Sequence, residues 1–129
     1  MINEATVSFL RKADALLANR PNNLGQREIE QRFQNSYYAA LRLAGAVIED
    51  VMSRRKRKLR GDAWTLLARC GGQYGAWADI FRPYSPVKER IRMGLSPSLS
   101  LDDLECFEHH VLEFRTFVND RYAWVPCVA

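Results

Sequence analysis

Six of the seven residues from position 54 to 60 are basic: Arg54, Arg55, Lys56, Arg57, Lys58 and Arg60, interrupted only by Leu59. Such a run can neutralise several phosphates at once and release their condensed counterions, the chemistry of nucleic-acid backbone binding. It can equally be a solvated helix end whose cations complement the helix dipole. Six charges exceed what one helix end requires, so both readings stay open. No RNP-like motif, zinc finger or clear helix-turn-helix accompanies the run.

A second group lies near the C-terminus. Cys106 and His110 are four residues apart, so on a helix their side chains can touch. A thiol beside an imidazole is the start of a nucleophilic pair or of a metal site. No recognisable motif supplies an orienting group or further ligands, so no catalytic and no metal-binding residue is assigned, and no cofactor is expected. At ~100° per residue, Cys106, His110 and Phe117 share one side of the helix, with Glu113 beside them. The four are expected to form a dimer or partner surface, because a single bundle would leave Phe117 wet. His109 is expected to face solvent. Trp64, Tyr74 and Trp77 could stack a base, but at helical spacing they read as core. Gly71-Gly72 has no preceding strand and no following Lys-Ser/Thr, so it is not a phosphate loop.

The elements that must position these residues are all helical. Residues 4–19 carry Val7, Leu10, Ala13 and Leu17 at helical spacing, with Asn3 as a cap and Pro21 as a stop. Residues 25–56 form the longest segment, with Ile29, Phe33, Tyr37, Leu41, Ala44, Ile48 and Val51 as its apolar stripe. A third helix starts at the cap residue Asp62, carries Trp64 and Leu67, and breaks at Gly71-Gly72. It resumes through Tyr74, Trp77, Ala78 and Phe81, and stops before Pro83. Ser85-Pro86 reads as cap and first turn of a short helix to about Met93. Ser100 and Asp103 form a capping-box pattern opening the last helix, whose stripe is Leu104, Phe107, Val111, Phe114, Val118 and Tyr122. No alternating strand pattern occurs. The fold predicted is all-α: an antiparallel bundle of four main helices, the third broken, with a short extra helix.

Outside 54–60 the chain carries 13 basic against 15 acidic residues, so its net charge of +4 describes one cluster rather than a cationic coat. A length of 129 residues suits one domain, 1–129, whose apolar tail 123–129 either docks on the bundle or stays loose. Cys70, Cys106 and Cys127 are odd in number and lack CxxC spacing, which fits free thiols in a reducing compartment. No long apolar run or signal peptide is visible, so the expected location is cytoplasmic, with no membrane contact.

Two stretches resemble a known superfamily. One is Ser36-Tyr37-Tyr38-Ala39-Ala40-Leu41-Arg42-Leu43-Ala44. The other is Asp62-Ala63-Trp64-Thr65-Leu66-Leu67-Ala68-Arg69 followed by Gly75-Ala76-Trp77-Ala78-Asp79. Together they are similar to HEPN domains, and to a small single-domain branch common in actinobacteria. The likeness covers residues 4 to about 122. It implies a helical bundle, often dimeric, often a metal-independent RNase or a member of a toxin–antitoxin pair. The RNase members place an Arg, then four to six intervening residues, then a His on the last helix. There the Arg stabilises phosphate charge and the His moves the proton of the attacking 2′-hydroxyl. Here His109 and His110 are preceded by Asp102, Asp103, Leu104 and Glu105, and Arg115 follows them. An acid in place of the Arg would repel phosphate, so the catalytic role is not carried over. The function expected is therefore a non-enzymatic HEPN-like module, its expected partners being a second copy, RNA or DNA through 54–60, a nucleotide, or another protein. The alternatives are a metal-independent RNase with an unorthodox site, and a structural adaptor or antitoxin-like partner in a two-gene system.

Overall fold

The computed structural model describes residues 4–18, 25–55, 59–95 and 99–122. The Asn3 cap, the Pro21 stop, the side chain of Leu17, Lys56, Arg57, Lys58 and the tail 123–129 lie outside the described residues. Helices α1 (Glu4–Ala18), α2 (Gln26–Met52), α3 (Ala63–Ala68), α4 (Tyr74–Phe81), α5 (Ser85–Arg92) and α6 (Leu101–Tyr122) follow in order. Among the described residues there is no strand, and no helix is long and apolar enough to cross a membrane.

Local chemistry sets several of these ends. The Asp62 carboxylate accepts the Thr65 N–H at 2.8 Å and starts α3. Ser100 and Asp103 exchange reciprocal bonds, 3.0 Å from the Asp103 N–H to Ser100 Oγ and 3.2 Å from the Ser100 N–H to the Asp103 carboxylate. Between α3 and α4, Gly71 and Gly72 sit at φ +87° and +57°. That left-handed backbone strains any residue with a Cβ, so the two glycines fix the break. One expected end differs. Ser85 does not cap α5, because a 3-10 turn at Arg82–Tyr84 carries helical backbone from α4 into it. Pro83 fits that turn without breaking the path.

Residue pairs give the directions. Thr6 Oγ1 donates to the Ala46 carbonyl, so α1 runs antiparallel to α2. Arg32 meets Glu108, and Asp50 meets Tyr122, so α2 and α6 run parallel. Tyr74 and Trp77 contact Phe117, while Phe81 contacts Phe107, so α4 descends against α6. The result is the expected four-part bundle, with α3 and α4 as the broken third member. A continuous run of rings fills it. Phe33 and Phe107 are 4.6 Å apart, Phe81 lies 5.1 Å from Trp64 and 5.2 Å from Phe114, and Trp77 lies 5.2 Å from Phe114. The Trp64 indole N–H donates to the Tyr37 hydroxyl at 3.0 Å, so its polar atom is satisfied inside the core.

The stripe on α2 needs correction beyond Tyr37. Ile29, Phe33, Tyr37 and Ala44 are buried as expected, but Leu41, Ile48 and Val51 are only half-buried. Ala40, Leu43, Val47 and Asp50 are buried instead. From Phe33 the seam runs through Ser36, Ala40, Leu43, Val47 and Asp50 in alternating steps of three and four, the rhythm of helices packed along their length. Beyond Tyr37 small residues let backbones approach, and Leu41, Ile48 and Val51 flank the seam. Gly45 is one such point, where an added Cβ would lie 3.4 Å from the Phe9 ring.

Candidate nucleic-acid interface

Because α2 and α6 run parallel, their C-termini reach the same end of the bundle. The negative ends of two helix dipoles therefore converge there, and both attract cations. Arg54 and Arg55 follow the last turn of α2, and Arg121 stands in the last turn of α6. These three arginines, with Asp50, Val51, Cys70, Tyr74 and Tyr122, line an open cleft of about 430 Å³.

Asp50 anchors the cleft. It is almost fully buried, and its carboxylate takes bonds from the Arg54 guanidinium and, at 3.0 Å, from the Tyr122 hydroxyl. Burial, and the hydrogen bond given to Asp50, push the Tyr122 phenol far above its ordinary range, so it remains a donor. Burial also raises the Cys70 thiol, which donates to the Leu66 carbonyl. Cys70 is therefore a poor nucleophile. The Tyr74 phenol is likewise raised by burial, against an opposing pull from Arg121.

The arginines are not equivalent. Arg54 is tied to Asp50, although its side chain remains 70% exposed. Arg55 spends one N–H on the Arg69 carbonyl at 3.3 Å. Arg121 lies over the Tyr74 ring at 5.4 Å and over Phe117 at 5.7 Å. Among the described residues, neither Arg55 nor Arg121 forms an ion pair with a carboxylate. Both keep N–H groups for an anion. Arg60 is exposed.

The second predicted group is only partly assembled. Cys106 Sγ and His110 Nε2 do meet, at 3.8 Å on the outside of α6. Glu113 turns instead to His109, 2.9 Å away. Phe117 is not wet: it is half-buried, with Tyr74 at 5.5 Å and Trp77 at 5.9 Å. Its expected exposure, the reason for placing a contact there, is thus removed by α4. A shallower groove of about 370 Å³ follows, lined by Trp77, His109, Leu112, Glu113, Thr116, Phe117 and Asp120. Trp64 and Tyr74 are core, as expected, and Trp77 is half-buried against it.

Three features escaped sequence reasoning. Arg121 joins the basic end from 61 positions beyond Arg60, visible only once α2 and α6 are known to be parallel. Asp50 sits at a buried position of the seam that spacing from Phe33 and Leu43 could have revealed. Arg32 and Glu108 form a two-point pair, 2.6 and 3.2 Å, between α2 and α6. Arg115, the one arginine close behind the histidines, is bound to Asp14 of α1 and so braces the bundle.

A family model described as HEPN_SAV_6107-like HEPN matches residues 23–119, from the start of α2 to the last turns of α6. No curated protein and no solved structure matches the chain.

Proposed function

The chain belongs to the HEPN_SAV_6107-like HEPN family, and we propose that it is a binding module, not an enzyme, which holds nucleic acid by its phosphates at the basic end of the bundle. The observation that carries this reading is the convergence of Arg54, Arg55 and Arg121, from two helices, on one open cleft. The rest of the run, Lys56, Arg57, Lys58 and Arg60, belongs to the same connection in sequence. Phosphate contacts fix position without reading bases, so binding is tolerant of sequence and falls steeply with salt. The non-enzymatic part rests on the histidines: His109 is paired with Glu113, His110 faces Cys106, and Arg115 is committed to Asp14.

The test is titration of labelled single- and double-stranded RNA and DNA at several salt concentrations. Replacing Arg55, Lys56, Arg57 and Arg121 with Gln should weaken binding to all of them and flatten the salt slope. Arg54 is left in place because it satisfies buried Asp50. Absence of binding by the intact chain at low salt, or binding that survives the fourfold change, would refute the proposal. RNA cleavage without added metal, lost in His110→Ala, would refute its non-enzymatic part.

A further inference from the structure

The outer face of α6 carries a thiol–imidazole pair that the nucleic-acid reading does not use. Cys106 Sγ and His110 Nε2 are 3.8 Å apart, with Cys106 exposed and His110 half-exposed. In tetrahedral zinc the Zn–S and Zn–N bonds place a coordinated sulfur and nitrogen about 3.6 Å from each other. The pair is therefore already near the edge length of that tetrahedron. Spacing i to i+4 holds both ligands on one face without bending the helix.

One chain offers only half of the site. Among the described residues no group of three or more His, Cys, Asp or Glu could hold a metal. Of the neighbouring carboxylates on α6, Glu113 is held by His109 at 2.9 Å and Asp103 accepts the Ser100 N–H at 3.2 Å. A structural zinc site needs four protein ligands. We infer that two copies of this chain pair α6 against α6 around one zinc ion, with Cys106 and His110 of each completing a Cys2His2 site. The two thiols release their protons to solvent on binding, and the two imidazoles donate neutral Nε2 lone pairs, so the zinc–dithiolate centre is neutral.

The surroundings fit an interface that waits for a metal. Asp102, Asp103, Glu105 and Glu113 are exposed along the same stretch of α6. Their negative field draws a dication in and opposes the approach of two empty copies. Phe117, covered by α4, offers little apolar drive to pair without the ion.

The experiment uses the full chain under a phosphine reductant, which keeps thiols free without binding zinc as a dithiol would. Mass is followed by sedimentation as zinc chloride is added. The expected result is a monomer in chelator and a doubled mass at one zinc per two chains, reversed by EDTA. Cobalt(II) in place of zinc should give tetrahedral visible bands and thiolate charge transfer. Cys106→Ser and His110→Ala should each abolish both responses, while His109→Ala and Cys70→Ser should retain them. Unchanged mass with zinc, zinc bound one per chain without pairing, or doubling that survives Cys106→Ser would overturn the inference. A doubled mass in chelator would overturn it equally, since pairing would then not need the metal.

Discussion

The bundle end and the outer face of α6 are both polar surfaces, yet they are built in opposite ways. At the bundle end, cations gather around one buried carboxylate, and a tyrosine hydroxyl and a guanidinium hold that carboxylate in place. On the outer face, acids stand exposed along one helix and bond within it, as Glu113 does with His109. The first arrangement needs three parts of the chain to be docked. The second needs only that α6 be a helix. Residues local to one helix can thus be paired from spacing, whereas a site shared by helix ends exists only after packing.

The sharpest way to break that contrast is to loosen the docking. Phe107→Ala removes a ring that touches Phe33, Tyr37, Phe81 and Tyr84, and should cost about 3–5 kcal/mol in urea denaturation. Cobalt binding by the Cys106–His110 pairs of two copies should tolerate partial loosening better than nucleic-acid binding does. Arg32→Ala should cost a similar ~3–5 kcal/mol, because Glu108, with a side chain only 7% exposed, would be left without its partner. Restoring that stability with the double change Arg32→Met, Glu108→Leu would show the pair to be a replaceable brace between α2 and α6.

A comparison within α2 is gentler. Leu43→Ala should cost about 2–5 kcal/mol and Leu41→Ala less, since Leu43 is buried and Leu41 only half so. Equal losses would return the seam to the stripe expected from spacing alone.

The smallest expected effect tests a purely local device. Asp62→Ala should cost about 0.5–2 kcal/mol by removing the α3 cap. The Thr65 N–H holds the Asp62 carboxyl below its ordinary value of 3.8. The charge-linked part of the cap is therefore fully present above about that pH and is lost as pH falls through the lower folded value. The gap between wild type and Asp62→Ala should narrow on acidification below pH 3.8 and not between pH 5 and 8. A gap independent of pH down to acid unfolding would show that the carboxylate charge contributes nothing.

Residue chemistry read in order carried much of the fold. The Asp62 cap, the Ser100–Asp103 box, the Gly71-Gly72 break and the α6 stripe depend on neighbours within about one turn to a few turns, and such signals survive without tertiary context. The Cys106–His110 contact belongs to the same class. The seam on α2 does not. Its alanines are ambiguous until a partner helix is known, so spacing alone favours Leu41 and Ile48 over Ala40 and Leu43.

For the site, the sequence by itself determined that positive charge is concentrated at 54–60 and that α6 carries a Cys–His pair. Both follow from residue type and the helical repeat. Only the tertiary structure decided that Arg121 stands beside Arg54 and Arg55, that Asp50 lies buried between them, and that α4 covers Phe117. The physical reason is direction. Once the aromatic core sets α2 and α6 parallel, their C-termini share one end, and their charges meet across more than sixty residues of intervening chain.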